Sequence, residues 1–242
     1  MAIIEKRTEP LVQSDQPCKT QDGYTLYRRA RRWPSGAKGG KFASGILALA
    51  MATMLTGLTA SHAEASSSSK FLVPQKSINA PAGFTGICAK YNWVCAQSAS
   101  SNLSANETLR LAKAINRQVN RQVRQIDDQA QYGREELWTL PTARGGDCED
   151  LVLLKKKMLL ERGVPSEDLL IATVLDHKLR SHAVLVLRTA SGDLVLDSLK
   201  NKIVPWKQTG YTFLKLQNPN SLNQWQAVLA GGVIKDRPTA SR

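Results

Sequence analysis

The chain is poor in the residues that many ligand-binding and nucleic-acid-binding proteins depend on. It has four cysteines and three histidines among 242 residues, and only 6% of its residues are aromatic. No EF-hand spacing, internal repeat or nucleic-acid motif is present, and its basic residues are scattered rather than interleaved with aromatics. These absences argue against a nucleic-acid binder. With a net charge of +13, an acidic protein or the anionic surface of a cell envelope is the better partner.

An uncharged apolar run, FASGILALAMATMLTGLTA, covers residues 42–60. It is followed by small residues that suit signal-peptidase cleavage after Ala63 or Ala65. The run is close to membrane-spanning length, so a single anchor is the alternative. The cleavage-like residues and the Ser-rich segment after them favour a signal peptide. We therefore predict a long leader over residues 1–65, with its hydrophobic region at about 42–60, and a periplasmic or secreted mature protein.

The part of the chain after the leader is long enough for one domain with a sizeable core. A composition rich in Ser, Pro and Ala predicts a linker over residues 66–82. The final segment, residues 231–242, is predicted to be a disordered tail. The folded domain is therefore expected over residues 83–230.

Apolar spacing predicts two helices in the first half of this domain. One covers residues 102–125, with a basic outer face and with Ser104 or Asn106 as its cap. The other covers residues 148–163 and is apolar on nearly all sides, which is typical of a buried central helix. The run Lys155–Lys157 is expected to form the solvated face of this second helix.

Short apolar runs separated by turn residues follow the second helix. They cover residues 169–175, 183–187, 194–196, 211–216 and 225–229. Their lengths and their separators predict an antiparallel sheet. Helices first and strands afterwards indicate an α+β domain.

The segment before the second helix has the features of a nucleophile site. Gly145 and Gly146 free the incoming backbone, Asp147 is a good N-cap, and Asp150 resembles the second half of a capping box. Cys148 would then lie in the first turn of the helix, where the positive end of the helix dipole favours thiolate. Because thiolate is the nucleophilic form of cysteine, this placement predicts a reactive Cys148.

Two later residues complete a Cys-His-Asp order. His182 opens one strand-like run and Asp197 ends the next, as in papain-like and transglutaminase-like enzymes. His177 is the rival base, but it lies in a polar turn. Asp193 is the rival acid, but it follows Ser-Gly, where a turn-forming role is simpler. An acid that ends an apolar strand needs a partner, and His182 supplies one for Asp197.

A lone cysteine on an apolar helix is more often a small buried apolar residue than a nucleophile. The flanking acids of Cys148, together with His182 and Asp197, favour catalysis instead. Attack on a carbonyl also needs an oxyanion hole. We expect the backbone N–H of Cys148 to serve there, with the indole N–H of Trp138 as a second candidate donor.

The acids beside Cys148 need an explanation of their own. Asp147, Glu149 and Asp150 raise the local negative potential and would oppose ionisation of the thiol. Either these side chains turn away into caps and salt bridges, or a cation neutralises them. Hard carboxylate oxygens suit Ca²⁺, although the spacing is not that of an EF-hand.

The remaining cysteines fit an oxidising compartment. Cys88 and Cys95 frame a short loop of six residues and are good candidates for a disulfide. A metal pair is the competing interpretation, but no further cysteine or paired histidine lies nearby. Cys18 lies in the predicted leader.

The chain resembles the bacterial transglutaminase-like cysteine proteinases, a family that includes the LapG-type periplasmic peptidases. Order and spacing fit over roughly residues 83–230. The pieces that match are Trp138 with Pro141, Gly146–Asp150, His182–Leu185 and Leu194–Asp197. The Cys88 and Cys95 pair also looks like a subgroup of exported members.

The resemblance implies a papain-like or transglutaminase-like fold, with the nucleophile at the N-terminus of a central helix packed on an antiparallel sheet. It implies Cys148, His182 and Asp197 as the triad. It further implies a periplasmic peptidase that cuts surface adhesins and so releases cells from biofilm, under a membrane-bound receptor that senses cyclic diguanylate. Ca²⁺ bound by acids flanking the nucleophile is also implied, which makes Asp147 and Glu149 the candidate ligands.

The sequence departs from adhesin-processing members in reading His-Ala-Val where they tend to have His-Met-Val. The leading expectation is an exported thiol endopeptidase that forms an acyl-enzyme. The same triad would also serve transglutaminase-type transfer of the acyl group to an amine. A third alternative is a catalytically silent binding protein of the same fold.

Overall fold

The computed structural model describes residues 69–98 and 102–234. The predicted signal peptide and residues 235–242 of the predicted tail lie outside this range, as does Cys18. Within the described residues, no helix combines the length and the apolar character needed to cross a membrane.

The described part of the chain contains a single antiparallel sheet of seven strands, in the order β1-β7-β6-β2-β3-β4-β5. The strands are β1 Ser77–Ile78, β2 Leu169–Leu175, β3 Ser181–Thr189, β4 Gly192–Leu196, β5 Val204–Pro205, β6 Thr212–Asn218 and β7 Ser221–Ala230. The five apolar runs of the sequence form the five central strands, so the predicted antiparallel sheet is confirmed. The two-residue edge strands β1 and β5 were not predicted, because two residues carry no alternation.

The central strands are buried on both faces. In β2, Leu169 and Ile171 pack into a core cluster that includes the residues of the helices, whereas Leu170 and Val174 pack into a second cluster on the opposite face. Side chains of a strand point alternately to its two faces, so a strand covered on both sides must be apolar throughout. This explains why β2 reads as a continuous apolar run.

The helices are α1 Ile87–Lys90, α2 Ala105–Gln122, α3 Asp128–Tyr132 and α4 Cys148–Leu160. The predicted helix over 102–125 is confirmed as α2. Ser104 is its cap and forms a full capping box with Glu107. The basic residues of its outer face are exposed, as predicted: Arg110, Lys113, Arg117, Arg121 and Arg124.

The helix predicted over 148–163 is confirmed as α4, which is buried along most of its length and packs on β3 and α2. The prediction of a solvated lysine face on it was wrong. Lys155 and Lys156 are both fully buried, and only Lys157 is partly exposed. Three consecutive residues of a helix point about 100° apart, and α4 is covered on too many sides for all three to reach water.

The two buried lysines differ in their surroundings. Lys156 Nζ donates hydrogen bonds to the carbonyl of Leu169 at 2.6 Å and to Oε1 of Gln217 at 3.1 Å. Lys155 Nζ has no hydrogen-bond partner within the described residues. Burial lowers the pKa of each amine to about 7, and in Lys155 the charge of Asp197 opposes this shift.

The described part of the predicted linker packs on the sheet. Leu72 is buried, its N–H donates to Oδ2 of Asp193 at 2.8 Å, and Ser77–Ile78 pairs with β7. At the other end, Gly231 and Ile234, in the predicted tail, form an isolated β-bridge. The ordered segments therefore extend beyond the boundaries at residues 83 and 230, because single buried contacts leave little trace in composition.

The predicted disulfide between Cys88 and Cys95 is present, with a Cα–Cα distance of 5.5 Å. It closes a loop whose side chains reach the segment before α4. Lys90 Nζ donates to Oγ1 of Thr139 at 2.9 Å, and the Tyr91 hydroxyl lies 3.1 Å from the same oxygen. The disulfide loop thus contacts the segment that leads into α4 and its first residue, the cysteine.

Candidate active site

Cys148 is the first residue of α4 and is 3% exposed. The loop before it is held by backbone pairing, since Ile126 donates to the carbonyl of Gly146 and Gly146 donates to that of Arg124, each at 3.1 Å. Gly145 has a φ of 130°, and a Cβ there would lie 2.1 Å from the Arg124 carbonyl oxygen. Gly145 is therefore needed for this close approach of two backbone segments, whereas a Cβ on Gly146 would lie 2.7 Å from that of Asp150.

The sulfur of Cys148 lies against the start of β3. The backbone N–H of Ala183 donates to Sγ at 3.1 Å. A donor directed at sulfur stabilises negative charge on it, in addition to the helix N-terminus. On the other side, Sγ lies 3.3 Å from Oε2 of Glu149.

His182 and Asp197 form a buried pair on neighbouring strands. Nε2 of His182 lies 2.8 Å from Oδ1 of Asp197, and both side chains are less than a tenth exposed. The same carboxylate accepts the Leu199 N–H at 2.9 Å and the Tyr211 hydroxyl at 2.7 Å. Burial raises the pKa of Asp197, but the bond to His182, the positive charge of that ring and the two other donors outweigh it and hold the pKa at about 2.

The three predicted catalytic residues therefore meet at one place. His182 reaches the Asp197 carboxylate, and the next residue in the strand, Ala183, reaches the Cys148 sulfur. The register that pairs Leu185 with Leu196 places the end of β4 beside the beginning of β3. Neighbouring strands and one helix N-terminus thus bring together groups that are far apart in the sequence.

Neither rival residue occupies this place. His177 is exposed in the turn between β2 and β3, with its ring centre 5.3 Å from that of Tyr211. Asp193 is buried and pairs with Arg188, whose Nε lies 3.0 Å from its Oδ1. Asp193 therefore pairs across the β3–β4 hairpin, and its carboxylate also accepts the Leu72 N–H, so it is used away from His182.

Trp138, the second candidate donor for the oxyanion, has its ring packed edge-on against Phe84 at 5.2 Å and is 3% exposed. A Cβ on Gly83 would lie 2.7 Å from Cδ1 of Trp138. The indole is thus held in the core by the segment around residues 83–84. Its role as a donor stays a prediction.

The capping box predicted at the start of α4 is absent. The side chain of Asp147 makes no cap hydrogen bond. Oδ1 of Asp150 accepts instead from the N–H of Thr139 at 2.9 Å. The backbone of residue 147 is at the N-cap, but the Asp147 carboxylate belongs to a buried acidic cluster.

This acidic cluster comprises Asp128, Asp147 and Glu149, each of which offers one carboxylate oxygen within 4.8 Å of the others. All three are buried. Oδ1 of Asp128, Oδ1 of Asp147 and Oε1 of Glu149 have no hydrogen-bond partner within the described residues. Buried oxygens without donors are costly, and a set of hard oxygens is the donor type that Ca²⁺ prefers. The residues therefore fit a Ca²⁺ ion.

Burial and mutual repulsion disfavour ionisation of these acids in the absence of a cation. Burial, with the charge of Asp128, raises the pKa of Asp147 to about 7. Burial and the charge of Asp147 raise that of Asp150 to about 8, and the same two causes raise the pKa of Glu149 well above its ordinary value. Glu136 nearby is raised to about 7, mainly by burial.

Sequence reasoning missed three parts of this site. Asp128 lies 19 residues before Asp147, in a segment without periodicity, and its Oδ2 accepts the N–H of Leu137. The Ala183 N–H is a backbone group and leaves no residue signature. Tyr211, which contacts Asp197, begins an apolar run in which a tyrosine predicts only burial. An acid next to a short loop helix was the one available signal, and it was too common to single out Asp128.

Comparison with known proteins finds no match among curated proteins. Among solved structures the chain is similar to LapG of Legionella pneumophila. The calcium-bound LapG structure is 25% identical over 51% of this chain and 71% of that chain, with a TM-score of 0.44. The EGTA-treated LapG structure is also 25% identical, over 46% of this chain and 63% of that chain, with a TM-score of 0.40.

A sequence model of the family described as bacterial transglutaminase-like cysteine proteinase matches residues 75–232. This range is well over half of the chain and contains the cysteine, the histidine and the aspartate of the site. The mixed architecture, with the cysteine at the start of a central helix packed on an antiparallel sheet, agrees with the papain-like α+β fold that the sequence predicts. The chain therefore belongs to the bacterial transglutaminase-like cysteine proteinases and is a cysteine peptidase.

Proposed function

We propose that the protein is an exported thiol endopeptidase in which Cys148, His182 and Asp197 are the catalytic triad. The observation that carries the proposal is that two consecutive residues of β3, His182 and Ala183, contact Asp197 and Cys148 respectively. His182 Nε2 is 2.8 Å from Asp197 Oδ1, and Ala183 N is 3.1 Å from Cys148 Sγ. A histidine that bonds a carboxylate through one ring nitrogen keeps the other for the thiol.

The chemistry follows from these contacts. The proton of the Cys148 thiol passes to Nδ1 of His182, and the thiolate attacks the carbonyl carbon of the scissile peptide bond. The imidazolium then protonates the leaving amine, and the C–N bond breaks to give a thioester with Cys148. A water molecule, deprotonated by His182, hydrolyses the thioester and regenerates the thiol. The negative charge of Asp197, with its pKa held at about 2, stabilises the imidazolium throughout.

The proposal predicts that Cys148→Ala abolishes cleavage of a protein substrate while leaving the fold intact. The substrate class to test first is a cell-surface adhesin, which the sequence resemblance implies. The measurement is gel electrophoresis of purified surface proteins after incubation with the wild type and with the variant. Cleavage by the Cys148→Ala variant would contradict the proposal. Incorporation of a labelled amine without cleavage would instead indicate acyl transfer.

We further propose that Ca²⁺ binds among Asp128, Asp147 and Glu149. The unpartnered buried oxygens of these acids support the site. A calcium-bound and an EGTA-treated structure of LapG, the relative from Legionella pneumophila, point to the same ion. When bound, the ion would neutralise carboxylates next to Cys148 and so remove a charge that opposes formation of the thiolate.

Glu149→Gln is expected to weaken Ca²⁺ binding at least about tenfold, because it removes one charged ligand. Titration calorimetry of the purified protein with CaCl₂ measures this change. Glu135→Gln is the matched control, since Glu135 is an exposed acid of the preceding loop. Equal affinity in the wild type and Glu149→Gln would contradict the site, as would the absence of Ca²⁺ binding to the wild type.

Export is supported by the uncharged apolar run at residues 42–60 and by the disulfide between Cys88 and Cys95. The mature protein is expected in the periplasm or outside the cell, where a membrane-bound receptor could restrain it. N-terminal sequencing of the protein from the producing cells is expected to begin at Glu64 or Ser66. A mature chain that starts at Met1 would contradict cleavage of the leader.

A further inference from the structure

We propose that Tyr211 is a positioning residue of the active site, which fixes the Asp197 carboxylate and packs against the His182 ring. This inference rests on the proposed function, because it concerns the same triad. No part of the sequence pattern pointed to it.

The contacts of the Asp197 carboxylate define its orientation. Oδ2 accepts the Tyr211 hydroxyl at 2.7 Å, while Oδ1 accepts the Leu199 N–H at 2.9 Å and lies 2.8 Å from Nε2 of His182. With donors on both oxygens, the carboxylate cannot rotate about its Cβ–Cγ bond without losing a hydrogen bond. Of these three contacts, the one from Tyr211 is the only one made to Oδ2. Its removal would leave the carboxylate held on one side.

The ring of Tyr211 acts on the histidine directly. It lies edge-on to the His182 ring, with centres 5.9 Å apart and planes at 86°. Tyr211 is 2% exposed, so the ring also keeps water from the bond between His182 and Asp197. A hydrogen bond in such a dry setting is stronger than one in water. One side chain therefore contacts both partners of the pair.

The backbone around Tyr211 holds it in this position. Oγ1 of Thr209 accepts the Tyr211 N–H at 3.1 Å and donates to the Trp206 carbonyl at 2.6 Å. Gly210 has a φ of 70°, and a Cβ there would lie 2.5 Å from Cε1 of His177. A residue other than glycine would be strained at this φ and would displace the neighbouring histidine. The turn is thus built to deliver the tyrosine to Asp197.

Several charged groups surround His182 and Asp197, and the variants used in the test leave these groups unchanged. Lys200 Nζ lies 5.1 Å from the centre of the Tyr211 ring. Asp176 and Arg180, an ion pair in the turn between β2 and β3, act on Tyr211 through their charges, and the charge of Asp197 acts on Lys155. Burial and the charge of Asp197 raise the pKa of Tyr211, so its hydroxyl stays a donor across the working range of pH.

The test is the rate at which the His182 Nε2–H proton exchanges with water, measured by proton NMR of the full chain. In Tyr211→Phe the ring remains but the donor to Asp197 is lost. Exchange is expected to be at least about fivefold faster, because a carboxylate held on one side lets the bond between His182 and Asp197 open more often.

The matched control is Tyr91→Phe, which removes a tyrosine hydroxyl that contacts Thr139 rather than the triad. This variant is expected to keep the wild-type exchange rate of the His182 proton. A wild-type rate in Tyr211→Phe would overturn the inference, as would an equal increase in Tyr91→Phe.

Proton NMR of the unmodified protein provides a test that does not depend on folding of the variant. A slowly exchanging Tyr211 hydroxyl proton with a nuclear Overhauser contact to the His182 ring is expected. Its absence would overturn the inference. If the wild type cleaved no protein substrate, or if Cys148→Ala cleaved as well as the wild type, the proposed function would fail first. A cleaving wild type with an unchanged exchange rate in Tyr211→Phe would overturn the role of Tyr211 alone.

Discussion

Replacing His182 with alanine is expected to slow alkylation of the reduced Cys148 thiol at pH 6 by about a hundredfold, because a cysteine without an ion-pair partner is almost fully protonated there. Peptide hydrolysis is expected to fall by about a thousandfold or more, since the variant loses both the base and the acid of the reaction. The physical reason is the ion pair. Without an imidazolium, only the start of α4 and the Ala183 N–H stabilise the thiolate.

His177→Ala is the matched control for this prediction. His177 lies five residues earlier and also packs on Tyr211, but it is exposed and makes no bond to Asp197 within the described residues. Its replacement is expected to leave the alkylation rate of Cys148 at pH 6 within about twofold of the wild type. Alkylation of Cys148, followed by mass spectrometry over pH 4 to 9, distinguishes the two variants. Equal effects of the two substitutions would refute the assignment of His182.

Replacing Lys155 with methionine is expected to stabilise the fold relative to Lys156→Met by about 2 kcal/mol or more. Both amines are buried, but their hydrogen bonds differ. Lys156→Met strips a donor from the carbonyl of Leu169 and from Gln217. Lys155→Met removes an amine that has no hydrogen-bond partner within the described residues. The free energy of unfolding, from urea titration of the two variants and the wild type, measures the difference.

The stability gained by Lys155→Met is also expected to depend on pH. The pKa of Lys155 is about 7 in the folded chain against 10.5 as the ordinary value. Between pH 7 and 10.5 the unfolded chain binds more protons at Lys155 than the folded chain does. The destabilising effect of Lys155 on the fold therefore becomes smaller as pH rises from 7 to 10.5. Lys155→Met removes this destabilising effect. Its gain in the free energy of unfolding over the wild type is therefore expected to be larger at pH 7 than at pH 10. A gain that is independent of pH between 7 and 10 would contradict a lowered pKa of Lys155 in the folded chain.

Much of the fold followed from periodicity. The helix α4 and the five central strands were predicted because a covered sheet needs continuous apolar runs and a buried helix needs apolar residues all round. The strand β2 was predicted at its observed bounds, Leu169–Leu175. The edge strands, the packing of Leu72 and the burial of Lys155 were not, because each depends on what a distant segment covers.

The active site likewise has residues that the sequence predicted and residues that only the structure revealed. A cysteine between acids at a helix start, and a histidine and an aspartate on consecutive strands, were enough to propose the triad. The partners that tune it were not predictable. Asp128 joins Asp147 and Glu149 only through the fold of the loop before α4, and Tyr211 reaches Asp197 only because its turn folds back over β3.

The sequence by itself determined the family and the α+β class, and it was enough to propose the triad, because local spacing places each of the three residues at the end of a helix or strand. Only the tertiary structure decided which groups surround them. A hydrogen bond to a carboxylate, a missing donor at a buried oxygen and the dryness of a lysine depend on contacts between segments far apart in the chain. No local pattern of residues encodes such contacts.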